Sequence, residues 1–307
     1  MYGHYSVLYL CALFGKSRQA YYELGDSRED RALRDTLVLK LVAEARRELP
    51  RLGVPKLLHL LQEPFAAHGI KLGRDGLYNL LDTHGLLIRK RKRKPRTTDS
   101  NHPYRKYPNL IKDKLLTGAG QLWVSDITYL RTGSGFAYLS IITDAWSRKI
   151  VGYKLHPSLH SQGAIDALIM AAADQKRTTR LIHHSDRGVQ YCCTEYIRML
   201  EHYGISISMT ENGDPYENAL AERVNGILKD EFSLGQSFGS FTLAAEAVVA
   251  AVHRYNHLRP HASCDYKTPV AAHDESGSLR KRWKSTGGKG EPVIVPEQGR
   301  PVVTLST

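Results

Sequence analysis

Three carboxylates, Asp126, Asp186 and Glu222, stand in local sequences that single them out as candidates for chemistry. Asp126 lies in "LWVSDITYL", where period-two alternation puts Val124, Asp126 and Thr128 on one face of a strand. A carboxylate inside so apolar a strand needs a hydrogen-bonding network or a cation. Asp186 lies in "RLIHHSDRGVQY", a short apolar strand running into Ser-Asp-Arg-Gly, whose glycine permits a sharp exit from the sheet. That spacing puts Asp186 at the carboxyl end of a strand, where α/β sheets keep their chemistry. Glu222 lies in "DPYENALAERVNGILKDEF", with Asp-Pro as a turn and helical periodicity from about Tyr216. At about 100° per residue, Leu220, Val224, Ile227 and Leu228 form one stripe, with Glu222 and Lys229 nearly opposite.

Hard divalent cations such as Mg²⁺ take oxygen ligands and keep several waters, so carboxylates converging from separate elements leave coordination positions open for phosphate. Two such ions about 4 Å apart stabilise the attacking and leaving oxygens of an in-line phosphoryl displacement. The chemistry indicated is that of a nuclease or a polynucleotidyl transferase.

A chain with 31 acidic residues forms many Asp and Glu pairs, so the local contexts carry the specificity. The segments "WVSDITY", "HHSDRGVQY", "ENGDPYENALAERVNGILKDE" and "YNHLRPH" followed by "TP" resemble the Asp-Asp-Glu transposases of bacterial insertion sequences. The resemblance is to the second-frame product (OrfB) of the IS-three (insertion sequence three) family, whose core is like that of retroviral integrases, and it covers roughly residues 1 to 273. It implies that Asp126, Asp186 and Glu222 are catalytic metal ligands for two Mg²⁺ ions, with Mn²⁺ able to substitute. One ion would lie between Asp126 and Asp186, activating a water or a DNA 3′-hydroxyl. The other would lie between Asp126 and Glu222, stabilising the leaving 3′-oxygen. Asn225 and Lys229 match positions used near the DNA end, and Arg187 would neutralise phosphate charge nearby.

The composition agrees. A net charge of +12 and a pI near 9.5 favour a polyanionic partner such as double-stranded DNA. No apolar run is long enough to span a bilayer, there is no charged-then-apolar leader, and "YSVLYLCALFG" is too short and is followed by no cleavage-site pattern, which points to a cytoplasmic protein with no membrane partner. Cys11, Cys192, Cys193 and Cys264 show no Cys-x-x-Cys spacing, so neither a disulfide framework nor structural zinc is expected. The adjacent pair reads as small buried hydrophobes. His253 and His257 have ligand-like spacing but no cysteine partners, and a structural or DNA-facing role suits them better.

The elements that must position the carboxylates follow from the rest of the chain. Residues 1 to 88 read as helical, with stretches from about Asp30 to Glu48 and from Val54 to about His68, Pro55 suiting a first turn. A third stretch, "LYNLLDTHGLL", follows the turn "GIKLGRDG", with Gly85 as its stop. Two short helices joined by a glycine-bearing turn are compatible with a helix-turn-helix, the third stretch facing a DNA groove. The resemblance places such a segment here, and "SRQAYYEL" matches its usual start. However, "RLGVPKLLHLL" replaces the family's common Gly-Tyr/His-Arg-Arg-like run, leaving the base-reading residues undefined.

Arg89, Lys90, Arg91, Lys92, Arg93 and Lys94 open a self-repelling basic run suited to phosphate contacts, and residues 89 to 118 read as a basic linker. From 119 to 273 the pattern is α/β. Strands are expected near 122–130, 135–143, 149–156, 180–185 and 205–209, with helices at 161–175, 194–203 and from 216. "TGSG" signals a hairpin. The expected fold is a ribonuclease H-like mixed five-stranded sheet flanked by helices and preceded by a small all-α helix-turn-helix-like domain, with Asp126 and Asp186 on adjacent strands. "TENGDP" reads as a loop beside the site that orders on DNA and metal. "FTLAAEAVVAAVHRYNHLRPH" reads as a helix whose Tyr255, Asn256, Arg259 and His261 cap and pack, and residues 274 to 307 as a flexible basic tail.

The function expected is Mg-dependent DNA strand cleavage and strand transfer by a homo-oligomer on DNA. In this family a first-frame protein (OrfA) is commonly fused by frameshifting, and no heptad-rich segment here could play its part. The competing readings are a DNA-binding regulator with an inactive core, and a metal-dependent nuclease without joining activity.

Overall fold

The computed structural model describes residues 6–88, 103–112, 114–173, 180–211 and 218–277. The basic run Arg89 to Lys94, most of "TENGDP" and the tail from 278 lie outside the described residues.

The amino-terminal part is helical: α1 (Val7–Leu13), α2 (Arg18–Glu48), α3 (Val54–Leu60), α4 (Gln62–Ala67) and α5 (Arg74–Thr83). Val38, Val42, Leu52, Leu57, Phe65, Leu77 and Leu81 close over one another as its core. The sequence pattern places the start of the long helix near Asp30, but α2 begins at Arg18. Its only strong breaker is Gly25, and a single interior glycine weakens a helix without ending it. The stretch from Val54 divides at Leu61. Pro64 has no N–H to return to the Leu60 carbonyl, so the helix is interrupted there. Gly85 ends α5 as expected: at φ +66°, it lets Leu86 N–H reach the Leu81 carbonyl at 2.7 Å and its own N–H the Asp82 carbonyl at 2.9 Å.

Strands β1 (Leu122–Thr132), β2 (Gly135–Asp144) and β3 (Ile150–His156) form an antiparallel meander. Thr132 pairs with Gly135 across a two-residue turn, as "TGSG" signalled. The chain then alternates through α6 (Gln162–Ala173), β4 (Ile182–Ser185), α7 (Val189–Cys192), α8 (Thr194–His202), β5 (Ser206–Met209) and α9 (Ala219–Glu231). Beyond these come β6 (Ser237–Phe238), α10 (Phe241–His257) and α11 (Pro269–His273).

The sheet runs β3-β2-β1-β4-β5, with β4 parallel to β1 and β5 parallel to β4. This is the ribonuclease H-like arrangement. The two-residue β6 adds a sixth strand, parallel to the far end of β1, which is too short to leave a periodic signal in sequence.

Alternation on the strands divides the core into two layers. Leu130, Leu139, Ile141 and Leu155 pack against Val224, Leu228, Val248 and Tyr255 of α9 and α10. Trp123 and Ile142 face Ala167 and Leu168 of α6 and Tyr196 and Leu200 of α8.

The helical part rests on the carboxyl-terminal half of the core. Arg254 donates to Glu48 at 2.9 Å, Lys56 lies 3.7 Å from Glu231, His59 stacks on Tyr266 at 4.9 Å, and Phe232 packs into the helical cluster. Part of the stretch read as linker also lies on the core, with Leu110 N–H donating to Ser208 Oγ at 2.9 Å. Among the described residues no helix is long and apolar enough to cross a membrane.

Candidate active site

The site lies where β1 lacks a neighbour. On the side away from β2, β4 pairs with β1 only over Leu122–Val124 and β6 only over Arg131–Thr132. Asp126 falls in the gap between them. Asp186 is the first residue past β4, and continuing the register of Trp123 with His183 and Val124 with His184 sets it alongside Asp126. Glu222 arrives on the first turn of α9, held down by Ala221, which is buried against Leu122, Val124 and Ile182. The adjacent strands expected for the two aspartates are therefore present.

Asp126 accepts from its neighbour Ile127 N–H at 2.9 Å through Oδ1 and from Asn225 Nδ2 at 2.8 Å through Oδ2. Burial first, then the charge of Asp186, and more weakly that of Glu222, push the Asp126 carboxyl up to about 7, while its two donors pull the other way. Asp186 Oδ1 accepts from Gly188 N–H at 3.0 Å. Gly188 has φ −63°, so what its position demands is room: a Cβ there would stand 3.0 Å from Asp186 Oδ1.

No group of three His, Cys, Asp or Glu side chains among the described residues is gathered closely enough to hold an ion outright. The carboxylates are nevertheless electrostatic neighbours, since Asp126 feels both others. A half-buried carboxyl raised by desolvation and by two like charges is the environment a divalent cation relieves, and an all-oxygen donor set suits a hard ion.

Asn225 is 6% exposed, with its amide N–H committed to Asp126 and its Oδ1 buried without a hydrogen-bond partner. Lys229 is half-buried, its Nζ 4.5 Å from the Tyr129 ring centroid. Burial lowers its pKa, and Asp126 opposes that. Arg187 is half-buried beside Asp186 and acts electrostatically on Glu211, which is ion-paired with Lys112.

Behind the carboxylates lies a polar layer that the pattern did not single out. His183 Nε2 meets Ser125 Oγ at 2.6 Å and Tyr196 OH at 2.9 Å, while His184 Nδ1 meets Ser208 Oγ at 2.8 Å. Burial, and secondarily His184, push His183 down to about 3, so it is neutral and serves as hydrogen-bonding structure. Asn218 donates to the Ser125 carbonyl at 3.1 Å, occupying part of the open edge of β1. The only sequence signal was two histidines directly before "SD" on an otherwise apolar strand.

The remaining residues lie away from the carboxylates or inside the core. Asn256 both accepts from Ile150 N–H and donates to its carbonyl at 2.9 Å, fixing the start of β3. Arg259, 2% exposed, forks onto Glu231 at 2.6 and 2.7 Å and donates to His261 Nε2 at 2.9 Å. The four cysteines are free and buried. His253 and His257 stack on each other at 4.7 Å on the surface.

Comparison with known proteins finds relatives of this chain. Two models described as "Integrase core domain" match residues 117–215 and 203–269. The chain is 33% identical over 266 residues to "Insertion element IS600 uncharacterized 31 kDa protein" of Shigella sonnei, a match covering 85% of this chain and 96% of that protein. It is 30% identical over 274 residues to "Transposase InsF for insertion sequence IS3A" of Escherichia coli K12, covering 86% of this chain and 93% of that one. Among solved structures, the HTLV-2 integrase catalytic core domain in complex with magnesium matches at 19% identity and a TM-score of 0.41, over 51% of this chain and 97% of that one. With relatives at this identity matched over nearly their whole length, the chain belongs to the IS3 family of insertion-sequence transposases.

Proposed function

We propose that Asp126, Asp186 and Glu222 are the metal-binding catalytic residues with which this transposase cuts and joins DNA strands. The observation that carries the proposal is the half-buried Asp126, raised to about 7 by desolvation and by the other two acids at the unpaired edge of β1. Two Mg²⁺ ions, or Mn²⁺ in their place, would supply Lewis acidity and charge neutralisation at the scissile phosphate.

The chain's own residues do the rest. Asn225 and the Ile127 N–H fix both oxygens of Asp126, so that its lone pairs point one way. Gly188 N–H fixes Asp186 and leaves room beside it. Lys229 and Arg187 put positive charge at the rim, where phosphate oxygens would lie. In cleavage, water attacks phosphorus and the leaving 3′-oxygen departs with a proton. In joining, that 3′-hydroxyl attacks a target phosphodiester and displaces its 3′-oxygen.

Residues 1 to 88 are assigned to DNA binding, with α5 as the groove-facing helix, 89 to 118 to a basic linker and 119 to 273 to catalysis. A homo-oligomer on double-stranded DNA, a first-frame partner and a cytoplasmic setting complete the reading, since two element ends need more than one site.

The test is cleavage and joining of DNA carrying the element's ends with Mg²⁺, comparing the chain with Asp186→Asn. Metal-dependent joining lost in the variant, with DNA binding kept, is the expected result. Loss of binding together with activity would count against the assignment, and hydrolysis without joining would leave a nuclease.

A further inference from the structure

On the face of the sheet opposite Asp126 two large aromatic side chains stand in solvent. Tyr129 and Phe136 are 45% and 51% exposed, their ring centroids 5.3 Å apart and their planes at 78°. The register pairs Arg131 with Phe136 and Tyr129 with Tyr138, so Tyr129 and Phe136 are diagonal neighbours on one face of the hairpin. Tyr129 is three residues past Asp126, roughly 10 Å at about 3.3 Å per residue.

Two cations accompany the pair. Arg131 is exposed, and Lys229 lies over the Tyr129 ring. Strand alternation turns Asp126 and Tyr129 to opposite faces. Lys229, on the helix whose Asn225 holds Asp126, therefore reaches Tyr129 around the unpaired edge of β1. Lys229 thus joins the Tyr129 ring to the edge on which the carboxylates lie, while Phe136, on β2, lies on the far side of Tyr129 from that edge.

We propose that Tyr129 and Phe136 form a stacking platform for an unpaired base of the DNA strand held at the carboxylates, with Lys229 and Arg131 on its phosphates. The proposal rests on the catalytic reading of Asp126, Asp186 and Glu222 and names a subsite beside them. Aromatic faces interleaved with cations are what single-stranded nucleic acid binds, because every base offers a π-face and every linkage a negative charge. A base inside a duplex has both faces covered by its neighbours, so the platform takes one that has left the stack. A T-shaped pair leaves ring surface open to a third planar group. The positive charge of Lys229 and Arg131 at the platform, with Lys229 on the helix that carries Glu222, favours DNA over an apolar protein partner.

The test is binding of the full chain, without divalent ions, to a duplex carrying a short single-stranded flap with 2-aminopurine, whose emission falls on stacking, against the same duplex with a blunt end. The wild type should quench the probe and prefer the flap. Tyr129→Ala should weaken flap binding roughly 5- to 150-fold, the range that loss of one stacking contact spans, with blunt binding little changed. Tyr129→Trp should keep both preference and quenching. Phe136→Ala, at the more exposed ring, should weaken the preference in the same direction and serves if Tyr129→Ala does not fold by circular dichroism.

Absence of quenching in the wild type, or an unchanged flap preference in both alanine variants, overturns the platform. So does a change of oligomeric state in sedimentation with flap binding intact, which would make this face a protein interface. Asp186→Asn separates the two readings: if it loses cleavage while the alanine variants keep flap binding, the triad stands and the platform falls, and the reverse pattern spares the platform alone.

Discussion

Asn225 Nδ2 donates to Asp126 Oδ2 at 2.8 Å, joining α9 to the centre of β1. The bond ties the helix that carries Glu222 to the strand that carries Asp126, so two of the three carboxylates are set by a shared contact. It also lowers the Asp126 pKa against the larger effects of burial and Asp186.

Asn225→Ala removes that donor, so the Asp126 carboxyl should rise further above 7 and its protonated form persist to higher pH. The alkaline rise of cleavage rate should move upward in pH, and Mg²⁺ affinity should fall about 10- to 100-fold, as for other residues that orient metal ligands. A pH–rate profile at sub-saturating Mg²⁺, where proton and metal compete for Asp126, together with a Mg²⁺ titration checks both.

Asp126 also predicts how the metal-free protein responds to pH. Its folded pKa near 7 exceeds its ordinary 3.8, so between these values the folded state keeps a proton that the unfolded chain has released. Its contribution to stability is therefore present at low pH and lost as pH rises through about 7. Urea midpoints without metal should fall from about pH 5 to 8 more steeply for the wild type than for Asp126→Asn, and Mg²⁺ should restore the wild type at the upper end.

Arg259 and Glu231 form a buried two-toothed ion pair at the end of α9, and Lys56 of the helical part lies against the same glutamate. Removing one partner leaves a buried charge. Arg259→Met should destabilise the chain by about 3–5 kcal/mol, and Arg259→Met with Glu231→Met should regain much of that. Urea denaturation of the single and double variants measures the coupling. A double variant no more stable than Arg259→Met would show that the uncompensated charge is not the cause.

His183 is neutral and meets two hydroxyls, so His183→Phe should leave Ser125 and Tyr196 with only each other as partners. A loss of about 1–3 kcal/mol is expected, with catalysis falling because Ser125 adjoins Asp126. A thermal melt beside a cleavage assay tests it. Unchanged melting with lost cleavage would instead place His183 in the chemistry.

Much of this was legible in the chain. The strands around Asp126 and before Asp186, the helix bearing Glu222 and the hairpin at Gly133 and Ser134 follow from local alternation, turn residues and helical periodicity, which need no distant partner. Gly85 as a helix stop is likewise local, since only its φ was at issue. Less was legible elsewhere: the two-residue β6 depends on the far end of β1 that it pairs with, while the start of α2 and the break at Leu61 turn on how strongly single residues, Gly25 and Pro64, weigh against a helix.

By itself, then, the sequence determined which side chains could do chemistry and which elements carry them, because residue type and period are properties of a short window. Only the tertiary structure decided that β1 has an unpaired edge at Asp126, that Asn225 turns inward to that carboxylate, and that Lys229 lies on Tyr129. Those relationships join residues about a hundred positions apart. They arise from how β1, β4, β6 and α9 pack together, and a periodicity read along the chain does not encode which side chain meets which across that packing.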